Sequence, residues 1–332
     1  MYNYRMDLKP IAYEPYADPD DFIREVTDLI WIKRAIGHIR ENYVDDSIVH
    51  GVYGTSVTRE EVIHGSLMRI SNTPNRVGQA EDIIWEARGD DAFLSSHLVL
   101  STDLENLDFR TRGIANCLYR RGLMVEEWVV RDGVAVARQL GQDPDELARL
   151  KAFRGFSGSM VEPAPADVIA VGDSGPRPDD HRNEVQMVLE FIEAVWNGRE
   201  LERVEEFWIR DLVLNTIDDR TIVRPEGYRR ALLRMLRPFP GGRFEVRDVV
   251  THDSPRYAGL RVAVTWKFSG IYDGAADFGP LTGSPVEILG ISQFLIQSGR
   301  IVKETRVYDD IATRAQIFAA RGDEPFLSPN IY

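Results

Sequence analysis

An α+β fold in two tandem copies is what the sequence predicts, each copy a set of helices packed on one face of a curved antiparallel sheet. Three observations predict it: an internal repeat, the same order of helical and strand patterns in both halves, and linker composition between them. Residues 122–132 (GLMVEEWVVRD) match 299–309 (GRIVKETRVYD) at an offset of 177. Residues 60–67 (EEVIHGSL) match 226–233 (EGYRRALL) at an offset of 166. Two anchors at drifting offsets point to duplication, with about eleven extra residues in the second copy, placed in Tyr272–Gly283.

Helices open each copy. Phe22, Val26, Leu29, Ile30, Ile36 and Ile39 recur at helical spacing, and so do Val185, Val188, Leu189, Ile192 and Trp196. A short strand follows, 47–51 or 212–216. The next helix opens on a capping box of Thr58 and Glu61, or on Pro225 at its first turn. The remainder reads as strands: 92–100, 114–120 and 123–130, then 244–250, 260–268, 286–297 and 301–308. Helices first and strands after is an α+β order. Between the copies, Pro163, Pro165, Pro176 and Pro178 stand among Gly, Ser and Asp, as in a linker. The expected division is an arm at 1–20, a first domain at 21–152, a linker at 153–180, a second domain at 181–322 and a tail at 323–332.

The chain has 332 residues, 43% hydrophobic and 28% charged, with a formal net charge of -13. Its length suits two cores of ordinary size. The acidic balance argues against nucleic acid or an anionic membrane as a partner, since both need a basic footprint. No apolar run has the length of a spanning helix and no signal-peptide core is visible, so the expected location is cytoplasmic. The single cysteine, Cys117, lies in an apolar run and reads as a buried, inert thiol.

Helix, a short strand ending in His50-Gly51, helix, and a meander closing on Gly122, Val125, Glu127, Trp128 and Asp132 resemble SnoaL-like domains of the NTF2-like superfamily. The turn 279–286 (GPLTGSPV) and the stretch 131–144 are also similar to members of that family. The resemblance covers roughly 22–150 and 181–320 and implies two cone-shaped domains. It further implies a polyketide-cyclase-like activity without cofactor, with a pocket aspartate as acid and base. That aspartate would be Asp132 in the first copy and Asp309 in the second. Thr305 in place of Trp128, Asn215 in place of His50 and Tyr272 at another His position depart from the pattern in the second copy.

The residues themselves offer further candidates. On a period-two strand, Trp128, Val130 and Asp132 share one face, here read as the cavity wall, where desolvation would raise the carboxyl pKa; a helix-capping Asp is the alternative. Phe93, Ser95, His97 and Val99 share a face of another strand, so His97 is a candidate proton shuttle or oxyanion donor, or else a paired core histidine. His50, Tyr53, Trp85, Trp128, Asn215, Trp266 and Tyr272 are expected ligand contacts, with sheet core as the alternative for each aromatic. His38, His64, His181 and His252 are expected at the surface. No metal motif and no phosphate loop are present, and the segment 155–158 (GFSG) falls in the linker. The expected partner is a small apolar ligand. Two functions remain open, a cyclase or isomerase acting on a carbonyl compound and a non-catalytic binding module with one or both pockets degenerate. The halves are expected to pair through their sheets as a pseudo-dimer, and a homodimer of whole chains is compatible with this.

Overall fold

A computed structural model describes residues 13–154, 182–253 and 258–323. Most of the expected arm, linker and tail lies outside these residues, as does His181.

Helix α1 (Pro19–Thr27) starts where Asp18 accepts a hydrogen bond from Asp21 N at 3.0 Å, with Pro19 preset for the first turn. It buries Phe22, Ile23 and Val26 and continues through tight turns into α2 (Ile39–Asn42). Strands β1 (Tyr43–Gly51) and β2 (Gly54–Ser56) form a hairpin. Helix α3 (Arg59–Asn72) opens on Thr58, whose hydroxyl accepts from Glu61 N at 3.2 Å. The Glu61 carboxylate reaches one residue beyond the expected capping box and accepts from Val57 N at 2.8 Å. Four strands follow: β3 (Arg76–Ala87), β4 (Ala92–Asp103), β5 (Arg110–Arg120) and β6 (Leu123–Arg131). Helices α4 (Gly133–Gln139) and α5 (Pro144–Arg154) end the first half.

The second half repeats the order: α6 (Arg182–Phe191), α7 (Val204–Phe207), β7 (Trp208–Thr216), β8 (Arg220–Val223), α8 (Arg224–Leu236), β9 (Arg243–Asp253), β10 (Leu260–Ile271), β11 (Pro285–Gln297), β12 (Arg300–Tyr308) and α9 (Asp310–Arg321). The β10–β11 connection spans 272–284 where β4–β5 spans 104–109, which accommodates most of the extra length. The sheets run β2-β1-β6-β5-β4-β3 and β8-β7-β12-β11-β10-β9. Both are mixed, not wholly antiparallel as expected, because β1 pairs parallel with β6 and β7 parallel with β12.

The two sheets pack back to back. Leu98, Ile114, Trp128 and Val130 meet Leu289, Ile291 and Val307, and Ile84, Leu94 and Leu118 meet Val250 and Ala263. Several polar groups inside this layer are paired across it. Gln293 Nε2 donates to Ser96 O and Oγ at 3.1 Å. Glu86 accepts from Thr251 N at 2.9 Å and from its hydroxyl at 2.8 Å. The Asn116 amide donates to Thr265 Oγ1. Each sheet is therefore covered on both faces, by helices on the concave side and by the other sheet on the convex side.

The concave sides differ. In the second domain Trp196, Trp208, Trp266, Tyr228, Phe244 and Phe294 are buried and fill the inner part of the cone, leaving space only toward its mouth. Gly290 serves that packing, since a Cβ there would come within 2.1 Å of the Trp266 ring. Glu304 and Arg306 lie inside, joined at 2.7 Å, and Tyr228 Oη donates to Glu304 at 2.9 Å. The first domain's core is smaller, built on Phe22, Ile23, Ile83, Phe93 and Tyr119, and it leaves space within the cone.

Candidate functional site

A cavity of about 270 Å³ occupies the first cone, between α1, the inner face of α3 and the concave faces of β4, β5 and β6. Its walls are largely apolar: Ile23, Val26, Ile30, Val62, Ala115 and Val129. Alternation along β6 sends Glu127, Val129 and Arg131 into this space and Glu126, Trp128 and Val130 toward the second sheet. The expectation that Trp128, Val130 and Asp132 form the cavity wall is thereby corrected. Their apolar character is that of a sheet interface.

Two carboxylates line the cavity: Glu61, exposed and engaged at the start of α3, and Glu127 on β6. Enclosure pushes the Glu127 carboxyl pKa up, and Arg131, Arg69 and the Tyr43 hydroxyl hold part of that rise back. Tyr43 Oη donates to Glu127 Oε2 at 3.5 Å. Arg69, on α3, lies with its guanidinium 5.1 Å from the centre of the Trp31 ring. His97, expected as a candidate from the Phe93–Val99 face, lines the same cavity. Burial pushes its imidazole down to about 4, so the ring is neutral at pH 7. Its Nδ1 is buried with no hydrogen-bond partner among the described residues, leaving a polar atom for a ligand to satisfy. The Cys117 thiol borders the cavity too, and burial raises its pKa well above the ordinary value, which keeps it protonated and unreactive.

Arg69, Val129 and Arg131 also line an outer vestibule, which Tyr53, Lys151 and Asp309 complete. Asp309 thus comes from the second domain to the mouth of the first domain's cavity. It caps α9, accepting from Ile311 N at 2.9 Å, and Tyr53 Oη donates to it at 3.4 Å. Its carboxylate packs against Gly133, where a Cβ would come within 2.5 Å of Oδ1. Asp132 is the counterpart. It caps α4 by accepting from Ala135 N at 3.0 Å, and it accepts from Asp219 N of the second domain at 3.2 Å. Asp132 is 3% exposed and does not line the cavity.

Burial, assisted by Asp310 and Asp132, lifts the Asp309 carboxyl to about 7 against the opposing backbone N–H bonds of Ala312 and Ile311. The folded chain then holds a proton there that the unfolded chain releases near pH 4, so stability is lost as pH rises from about 4 through 7. Asp309→Asn is expected to flatten this slope. Urea midpoints from pH 5 to 8 read it, and parallel curves for both proteins would refute the assignment.

The remaining expected ligand contacts lie elsewhere. His50 Nε2 and Glu126 Oε1 are 2.8 Å apart on the convex face, both 1% exposed, with the His50 ring stacked 4.7 Å over Trp128. Trp85 packs on His252 at 4.6 Å, away from the cavity, and His252 is half-buried there, not at the surface as expected. Asn215 accepts from Thr221 Oγ1 at 3.0 Å. Trp266 donates to Ser292 Oγ at 3.2 Å inside the filled cone. Tyr272 is buried and fixes its own loop, its hydroxyl donating to Gly279 O at 2.7 Å and accepting from Phe278 N at 3.0 Å. His64 is exposed, as expected, and His38 is half-buried like His252. The residues missed from sequence are Glu127, Tyr43, Arg69 and Arg131. Recurrence of Glu127 as Glu304 in the repeat is the signal that marks the first of them. No group of three metal-ligating side chains is placed to hold an ion among the described residues. No helix among them is long and apolar enough to cross a membrane.

Residues 186–317 match the family model of SnoaL-like polyketide cyclases. The second domain is SnoaL-like, and the first repeats its strand order and its parallel pairing, so the chain is a tandem pair of SnoaL-like folds. Solved structures give similarity to a single half. A protein from Jannaschia described as a SnoaL-like polyketide cyclase is 15% identical, over 45% of this chain and 98% of its own, with a TM-score of 0.37. IdmH from Streptomyces antibioticus, described as a polyketide cyclase, is 22% identical over 40% and 97%, with a TM-score of 0.35. A SnoaL-like polyketide cyclase from Agrobacterium tumefaciens is 19% identical over 40% and 97%, at 0.33. A search of curated proteins gave no match.

Proposed function

We propose that the first domain binds a small, largely apolar carbonyl compound in its cone and moves a proton on it, as a cyclase or isomerase working with side chains alone. One observation supports this above the others: a carboxylate of raised pKa, Glu127, facing a largely apolar cavity lined also by four guanidinium groups, Arg69, Arg76, Arg112 and Arg131, and a neutral imidazole. Glu127 takes the proton α to the carbonyl, and Arg131 or Arg69 stabilises the enolate oxygen that develops. His97 hydrogen-bonds the ligand and fixes its orientation. Asp132, the family's expected acid and base, has its carboxylate engaged in capping α4 and in holding the second domain, so the reading passes to Glu127. For the second domain, aromatic packing of the inner cone and the pairing of Glu304, the counterpart of Glu127, with Arg306 support a non-catalytic role.

Ala115→Phe projects a ring into the cavity beside His97. A panel of aromatic and polyketide-like β-ketones is screened against the wild type by fluorescence quenching and product analysis. Compounds bound or converted by the wild type are expected to lose binding in Ala115→Phe by at least about tenfold, as for overfilled apolar sites. Unchanged binding in this variant would place the ligand outside the first cone.

A further inference from the structure

We propose that the mouth of the second cone is a separate site for a small organic dianion, carrying two carboxylate or phosphate groups on an apolar body. The space there is about 480 Å³ and is lined by seven arginines against three aspartates, in a chain whose formal net charge is -13. Several of these cations are already matched. Arg138 and Arg220 face Asp218, Arg237 meets Asp277 at 2.7 Å, and Arg314 meets Asp310 at 2.8 Å. Arg306, on the floor, is neutralised by Glu304.

Arg230 and Arg234 have no carboxylate partner among the described residues, and both line the space. They stand four apart on α8, with Arg237 three residues on. Like charges at that spacing oppose helix formation, so local stability does not account for them. Guanidinium forks suit bidentate recognition of carboxylate or phosphate. Phe278, Ile288 and Val134 supply an apolar flank for the body of the ligand. Val134 and Arg138 come from the first domain, so the site exists only in the joined chain. A concave space of this size fits a small molecule.

Isophthalate and pyrophosphate are titrated into the full chain by calorimetry. Both are dianionic or more, and only the first has an apolar body. Saturable isophthalate binding is expected, weakening several-fold between about 50 and 300 mM NaCl. The double substitution Arg230→Ala with Arg234→Ala, at two exposed positions, is expected to weaken it by roughly tenfold, as for loss of paired charge-assisted bonds, with the urea midpoint not lowered. Ala115→Phe, which closes the first cone, should leave it intact. Pyrophosphate binding more tightly than isophthalate would overturn the apolar body. Absence of saturation by either probe, or equal affinity in the double variant, would overturn the site itself.

Discussion

Glu127→Gln is expected to lower turnover by about 10²- to 10⁴-fold, the range for loss of a general acid–base group, with ligand affinity almost unchanged. Glutamine keeps the shape and can still accept from the Tyr43 hydroxyl, so the cavity wall stays in place. What is removed is the one carboxylate on the cavity face of β6. The pH profile gives the sharper reading. Because enclosure raises the Glu127 pKa, the rising limb of kcat/KM should report a carboxylate above its ordinary value of about 4.3, and that limb should vanish in the variant. Asp132→Asn is the necessary comparison. Its expected effect is on stability, through the α4 cap and the contact with Asp219. A loss of turnover in Asp132→Asn with full activity in Glu127→Gln would return the chemistry to the aspartate.

The largest stability effect is expected inside the second cone. Glu304→Ala should destabilise the chain by about 3–5 kcal/mol, because it strands the Arg306 guanidinium in a buried site. Arg306 is 2% exposed and lies 4.4 Å from the Trp196 ring centre, so water reaching the floor of the cone mouth replaces the lost carboxylate only in part. Ser292 Oγ and Tyr228 Oη lose their acceptor in the same step. Glu304→Leu combined with Arg306→Met removes both charges and should recover most of the loss, since apolar replacement of a buried pair is often neutral. Urea midpoints at constant m separate these cases. A single variant within about 1 kcal/mol of the wild type would show that the pair contributes no more than a surface ion pair does.

The duplication and the strand order are legible in the sequence because both rest on local patterns that repeat. Strand β3 escapes the pattern, since Asp82 and Glu86 interrupt its apolar run. In the folded chain Asp82 pairs with Arg261 and Glu86 with Thr251, partners more than 160 residues away. The parallel pairing of β1 with β6 escapes for a similar reason: neighbours across a sheet leave no trace in either strand alone. His97 is legible because Phe93, Ser95 and Val99 mark its face. The orientation of β6 is not, because a strand covered on both sides carries apolar residues on both, and periodicity cannot say which side encloses a cavity. Trp128 and Val130 belong to the domain interface, and the charged residues that flank them, Glu127 and Arg131, belong to the site.

That interface has a genetic consequence. In a dimer of identical subunits every substitution appears twice, once in each copy, so neither site can change without the other. Joining the copies in one chain breaks this coupling while keeping the back-to-back sheets. A tryptophan that would close a needed cavity can enter one cone alone. Val129 and Arg306 occupy corresponding positions on β6 and β12, one facing open space and the other a buried carboxylate. The paired architecture lets the two cones diverge, one closing its floor with a buried ion pair while the other keeps its floor open.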